Sequence, residues 1–178
     1  MRLTGRKSFI TGAAKGIGLS VARAFAAEGA AVALADISEE ESKKQSLEIK
    51  ETYGVDAIGV KCDVGDTISV QNAIKETSEA FNGLDTIACM AATLTERLDV
   101  VDLPEDEWNR TLNVNLTGSF LVCKHGIPFL REAGGGSIIL TASQMGQVAW
   151  PGSTAYCTTK GGILQLVKGI ALDHKDEN

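Results

Sequence analysis

Short apolar runs alternate along this chain with longer segments whose apolar residues recur at helical spacing. The runs are Lys7–Thr11, Ala31–Asp36, Ala57–Lys61, Leu84–Cys89 and Ser137–Ala142. Their near-continuous apolar character is that of strands covered on both faces. Between them, Gly16–Glu28, Glu39–Thr52, Ile68–Phe81, Glu105–Leu130 and Thr154–Leu172 read as helices. The first carries Val21, Ala24 and Phe25 on one side, with Arg23 and Glu28 on the other. Ser38 and Thr67 precede helical stretches as plausible N-caps. Strand and helix in alternation predict an α/β fold, a parallel sheet with helices on both faces. No linker or low-complexity segment divides the chain, so residues 1–178 read as one domain. Gly134-Gly135-Gly136 reads as a tight turn before the last strand.

Composition narrows the function classes. The net charge of −6 and pI of about 5.0 argue against an electrostatic footprint for nucleic acid, and no Lys/Arg cluster suggests a membrane surface. No apolar run reaches the length of a membrane span, and the first residues do not read as a signal peptide. Cys62, Cys89, Cys123 and Cys157 show no Cys-x-x-Cys spacing, and His125 and His174 supply no ligand pattern. No metal site is expected; reduced thiols in a cytoplasmic protein are. Cys157 adjoins Tyr156, but adjacent helix positions point apart, so it is a poor nucleophile candidate.

Two motifs carry chemistry. The first is Thr11-Gly12-Ala13-Ala14-Lys15-Gly16-Ile17-Gly18, lying between the first strand and the first helix. Strand, glycine turn and helix form the setting of a dinucleotide fingerprint. Glycines admit a pyrophosphate close to the backbone, and the helix N-terminus offers free N–H groups. The second motif is Ser143, Tyr156 and Lys160. Tyr156 and Lys160 are four residues apart, so a helix puts both on one face. An ammonium beside a phenol favours the phenolate and suits the tyrosine to acid/base work. A serine hydroxyl from a neighbouring strand could polarise a substrate oxygen.

With Asp36 ending a strand, Cys62-Asp63-Val64, and Asn113-Val114-Asn115, these motifs occur in an order that resembles the short-chain dehydrogenases/reductases, over Arg6 to about Asp173. The resemblance implies a Rossmann-type doubly wound sheet and an oxidoreductase that interconverts a secondary alcohol and a ketone. It casts Tyr156 as the acid/base, and Lys160 as the group that lowers the tyrosine's pKa and holds the nicotinamide ribose. Ser143 would bind the reacting oxygen, and Asn115 would hold a water that links Lys160 to solvent. Cofactor contacts would come from Gly12, Lys15, Gly16, Ile17, Gly18, Asp36, Ile37, Asp63, Val64, Cys89 and Ala91, besides Tyr156 and Lys160.

Asp36 can accept from ribose hydroxyls and would repel a 2′-phosphate. Ile37 stands where a phosphate-binding enzyme would place arginine. Lys15 pulls toward NADP, but a direct carboxylate–phosphate clash outweighs one mobile lysine, so NAD is expected. Residues Gln144 to Thr154, with Gln144, Met145, Gln147 and Trp150, would line the substrate mouth, suited to a polyol or cyclic alcohol.

Two departures stand out. The family usually has Asn-Asn-Ala-Gly where this chain has Cys89-Met90-Ala91-Ala92, so the asparagines that brace the neighbouring strand are missing. Relatives also continue past the Tyr156 helix into further strands and a substrate loop. The expectation is therefore a sheet lacking its C-terminal strands, with the Ser143 strand at an open edge. Apolar stripes run through the two longest helices, Leu112, Leu116, Phe120, Cys123, Ile127 and Leu130 in one, Ile163, Leu166, Val167, Ile170 and Ala171 in the other. Such stripes are usually intramolecular core. The resemblance adds that Glu105–Leu130 and Thr154–Leu172 form subunit interfaces, implying a homodimer or homotetramer. The competing reading is a cofactor-binding regulator or structural subunit without turnover.

Overall fold

The computed structural model describes residues 1–177. Five strands alternate with helices, beginning with β1 (Lys7–Thr11), α1 (Gly16–Ala27), β2 (Ala31–Asp36), α2 (Glu39–Tyr53), β3 (Ala57–Lys61) and α3 (Thr67–Phe81). The chain continues through β4 (Thr86–Cys89), α4 (Glu105–Leu112), α5 (Gly118–Glu132), β5 (Ser137–Leu140) and α6 (Thr154–Asp173). The strands form one parallel sheet in the order β3-β2-β1-β4-β5. The chain builds outward from β1 to β3, then crosses back to lay β4 on the other side of β1. That reversal opens a crevice beyond the carboxyl ends of β1 and β4, the usual ligand position in such sheets. Thr11 and Cys89, the last residues of the two strands, stand in register there.

Strand alternation distributes the core. Ile10, Val32, Leu34 and Ala88 join Ala22, Ala26 and Ile49 from α1 and α2. Phe9, Ala33, Val60, Ile87 and Cys89 join Ile74 from α3 and Leu121 and Val122 from α5. Each face is thus a sheet surface sealed by helices, as the doubly wound arrangement requires. The helix α6 packs against α4 and the turn that follows it.

Three details depart from the sequence reading. The predicted helix Glu105–Leu130 is interrupted at Asn113–Thr117 by a π-helical turn, in which the Gly118 N–H donates to the Asn113 carbonyl. Such single wide turns are recurrent at functional sites, and side-chain periodicity does not reveal them. Asp66, not Thr67, caps α3, its carboxylate accepting from the Ser69 N–H at 2.6 Å. A carboxylate placed one residue earlier reaches the free N–H groups and also favours the helix dipole. Ser38 stands at the N-cap position of α2 but makes no side-chain cap bond. The strand β5 is an edge, paired only with β4, and Ile139 is 41% exposed on it.

Candidate active site

The glycine turn after β1 is shaped by close approach. Gly12 has φ +63°, and a Cβ there would stand 2.7 Å from the Ala91 Cα, so a side chain would push β1 and the end of β4 apart. A Cβ on Gly18 would collide with the Gly12 carbonyl oxygen. These two glycines let the first turn of α1 fold down onto the strand end. Gly16, at φ +60°, faces open space. Lys15 is the extended residue before the helix and gives it no side-chain cap. The N-terminus of α1 therefore presents N–H groups and a positive dipole end to the crevice.

Asp36, the last residue of β2, stands beside this crevice. One carboxylate oxygen accepts from the Ala14 N–H at 3.1 Å, the other from the Ser38 N–H at 3.0 Å. Both bonds fix the carboxylate beside the glycine turn. Ile17 and Ile37 are 74% and 67% exposed at the mouth, apolar side chains uncovered by the protein itself. Asp63 is exposed at the end of β3 and accepts from the Gly65 N–H at 2.9 Å. Val64 is buried against α5, where a Cβ on Gly118 would meet its side chain.

The stretch Cys89–Ala92 is braced by a residue the sequence reading did not single out for this task. The Thr11 hydroxyl accepts from both the Met90 and Ala91 N–H groups, at 3.1 and 3.2 Å. A β1 hydroxyl thereby ties the end of β4 to β1. The Cys89 thiol is buried, and the neighbouring Cys123 thiol, followed by desolvation, pushes its pKa well up. What Cys89 offers the crevice is therefore backbone. Burial likewise pushes the Cys62 thiol up to about 12.

The second motif assembles on α6. Lys160 is only 4% exposed, and its ammonium donates to the Thr141 carbonyl at 2.7 Å. Burial lowers its pKa from the ordinary lysine value. The same nitrogen lies 5.6 Å from the centre of the Tyr156 ring, so the i, i+4 spacing brings cation and phenol together as expected. Ser143 begins a short 3₁₀ turn, Gln144–Gly146, and its Oγ accepts from the Met145 N–H at 3.2 Å. That turn lies directly on α6. A Cβ on Gly146 would be 2.6 Å from the Lys160 carbonyl oxygen, so only glycine allows the Ser143 segment this close.

Asn115 sits in the π-helical turn and is 1% exposed. Its side chain is spent on a neighbouring segment: Oδ1 accepts from the Thr93 N–H at 2.7 Å and Nδ2 donates to the Thr93 carbonyl at 3.0 Å. A further contact of 3.4 Å reaches the Thr159 hydroxyl. Asn115 thus ties the segment after β4 to the turn, and to α6 one residue before Lys160.

Ser143 and Tyr156 wall a cleft of about 270 Å³ together with Gln144, Met145 and Ser153. Its opposite wall is Leu94, Thr95 and Arg97, from the loop between β4 and α4, which the sequence reading did not name. The available signal was position, since loops at the carboxyl end of β4 face the crevice. Trp150, expected at the mouth, is exposed and outside the cleft lining. Among the described residues, no group of three or more His, Cys, Asp or Glu side chains could hold a metal ion, and no helix is long and apolar enough to cross a membrane.

The family model for the short chain dehydrogenases matches residues 6–178. The chain belongs to that family. As a short-chain dehydrogenase it is an oxidoreductase of an NAD(P)-using family that acts on alcohol groups. It is 38% identical over 175 residues to 2,5-dichloro-2,5-cyclohexadiene-1,4-diol dehydrogenase LinX of Sphingobium indicum, covering 98% of this chain and 69% of that protein. It is also 38% identical over 177 residues to trans-4-hydroxycyclohexanecarboxylate dehydrogenase of Sinomonas cyclohexanicum, covering 97% of this chain and 68% of that protein. A crystal structure from Sinorhizobium meliloti 1021, assigned by name to the short-chain alcohol dehydrogenases, superposes with a TM-score of 0.93 at 28% identity. That match covers 98% of this chain and 68% of the other.

Proposed function

We propose that this short-chain dehydrogenase interconverts a secondary alcohol and a ketone with NAD, using Tyr156 as the acid/base. The observation that carries the reading is the cleft itself. Ser143 and Tyr156 share one small cavity, and the buried Lys160 ammonium lies against the Tyr156 ring. The residues present suit a dinucleotide: the Gly12–Gly18 approach, the uncapped start of α1, and the exposed Ile17 give it a place to lie. Gly12, Lys15, Gly16, Ile17 and Gly18 would hold its pyrophosphate end, Asp36 and Ile37 the adenosine ribose. Asp63, Val64 and the backbone of Cys89 and Ala91 would flank the adenine and the strand end. When bound, the nicotinamide accepts or supplies the hydride.

The chain's own residues then handle the proton. In oxidation, the Tyr156 phenolate takes the hydroxyl proton; in reduction, the phenol returns it to the carbonyl oxygen. The Lys160 cation stands beside the Tyr156 ring and stays fixed by the Thr141 carbonyl. Ser143 Oγ donates to the reacting oxygen and opposes its developing charge. Asn115 has its side chain engaged by Thr93, so a water on the path from Lys160 would rest on its main chain. The cleft volume favours a compact substrate, and a cyclic or polyol alcohol fits the reading. The enzyme would work as a homodimer or homotetramer through α4–α5 and α6, where Phe120, Val167 and Leu172 are exposed.

Turnover of a panel of small secondary alcohols with NAD tests the activity; no turnover with any member, alongside tight NADH binding, would favour a binding protein. Cofactor choice is tested at Asp36. Fluorescence titration should show NADH preferred over NADPH, and Asp36→Ala should shrink that preference by about tenfold or more, since the repulsion of a 2′-phosphate is lost. An unchanged ratio would remove Asp36 from the selection.

A further inference from the structure

Arg97 is an exposed residue that lines the cleft together with Ser143 and Tyr156, and it is the one charged side chain in that lining. Among the described residues its guanidinium has neither a carboxylate within ion-pair distance nor a hydrogen-bond acceptor. Arg23, Arg110 and Arg131 each hold a glutamate instead, at 3.2, 2.9 and 2.6 Å. The position of Arg97 is built into the fold. Gly152, at φ +69°, approaches so closely that a Cβ would be 3.0 Å from the Arg97 carbonyl carbon and 3.1 Å from its Cα and Cβ. The Pro151-Gly152 turn that leads into α6 therefore presses on the Arg97 backbone and fixes it beside the cleft. No acidic residue lines the cavity to balance it, and the buried Lys160 ammonium behind Tyr156 adds positive potential of the same sign.

From this we infer that the substrate is an anionic alcohol. Its carboxylate, or a comparable oxyanion, is paired by Arg97 while its hydroxyl carbon sits at Ser143 and Tyr156. The inference rests on the alcohol–ketone reading above and deepens it. A guanidinium presents a planar fork of donors that matches a carboxylate, so it selects for geometry as well as charge. Its location separates it from the cofactor phosphates, which the glycine turn and α1 would hold on the β1 side of the crevice.

The test is a matched pair of substrates, trans-4-hydroxycyclohexanecarboxylate and its neutral primary amide, on the purified protein with NAD. The anion should be preferred in kcat/KM by about ten- to a hundredfold, the range of a hydrogen bond to a charged group. Arg97→Met should abolish that preference, lowering kcat/KM for the anion far more than for the amide and leaving NADH affinity unchanged, and Arg97→Lys should restore part of it. Equal rates for the two wild-type substrates, or an Arg97→Met loss equal for both, would overturn the inference and leave the activity standing. A second readout covers an inert enzyme: calorimetric binding of 4-oxocyclohexanecarboxylate and its amide to the NADH-loaded protein. Anion-selective, Arg97-dependent binding without turnover would uphold the anion site and sink the proposed reaction. Unselective or absent ketone binding in an inert enzyme overturns both. Weakened NADH binding in Arg97→Met would assign the guanidinium to the cofactor and also overturn the inference.

Discussion

β2 and β5 flank the central pair on opposite sides, and each delivers functional groups beyond its carboxyl end. They are held very differently. β2 is paired on both sides, with four consecutive residues buried between two helical layers. β5 is paired on one side only and alternates between exposed and half-buried positions. Asp36 therefore inherits its position from the sheet, whereas Ser143 depends on contacts made after the strand ends. Those contacts are the Gly146–Lys160 approach and the bond from Lys160 to the Thr141 carbonyl. The proposed nucleotide side is a cradle set by strand pairing and the proposed reaction side a set of cross-braces. Each should be separately breakable.

The largest expected effect lies on the reaction side. Tyr156→Phe removes the acid/base hydroxyl and keeps the ring against Lys160. Turnover should fall by about 10²- to 10⁴-fold. NADH affinity, measured by fluorescence titration, should stay within about twofold, well under the 1.4 kcal/mol of a tenfold change. If both are lost together, Tyr156 is holding the site up rather than running the chemistry.

A pair of glycine substitutions cuts more directly between the two regions. Gly18→Ala drives a methyl into the Gly12 carbonyl, and Gly146→Ala drives one into the Lys160 carbonyl. Each forces a backbone shift costing on the order of 1–3 kcal/mol of stability. The consequences for function should diverge. Gly18→Ala should weaken NADH binding roughly tenfold or more. Gly146→Ala should leave NADH affinity near normal and lower kcat, because Ser143 is displaced from Tyr156. If Gly146→Ala costs NADH affinity as heavily as Gly18→Ala, the division into cradle and braces is wrong.

The same division explains what could be read from the sequence. The cradle was legible because local rules specify it: short apolar strands, a glycine turn, and a helix that starts uncapped. The Tyr156–Lys160 pairing was legible because helical spacing alone brings the two side chains together. The braces are tertiary and have no local signature. Nothing in the residues around Thr11 announces that its hydroxyl holds Met90 and Ala91. Asn115 was visible as a candidate, but its clasp on Thr93 arises only because a π-helical turn rotates it toward the segment after β4. Arg97 lies in a loop without periodicity, and only the fold shows that it lines one cleft with Tyr156. Asp66 displaced Thr67 as the α3 cap because both fit the capping pattern, and only the backbone decides which one turns the corner.

The smallest effect probes how tightly the braces exclude water. Lys160 has its pKa lowered from 10.5 by burial, so the folded state disfavours its charged form relative to the unfolded chain. Below the folded-state pKa the lysine is charged in both states, and the folded protein bears the full cost of burying an ammonium. As pH rises through that pKa toward 10.5, the folded state sheds the proton while the unfolded chain still binds it. Stability attributable to this site therefore rises with pH in that window and levels off above it. The comparison to make is with Lys160→Met, in a Tyr156→Phe background so that no nearby phenol titrates. Other lysines and thiols cancel between the two proteins, and the lost bond to Thr141 adds a constant offset. Thermal denaturation from about pH 7 to about pH 10 should show the lysine protein gaining stability on its methionine counterpart. A difference that stays flat would mean that water reaches the ammonium behind Tyr156. The braces would then hold geometry without drying the site.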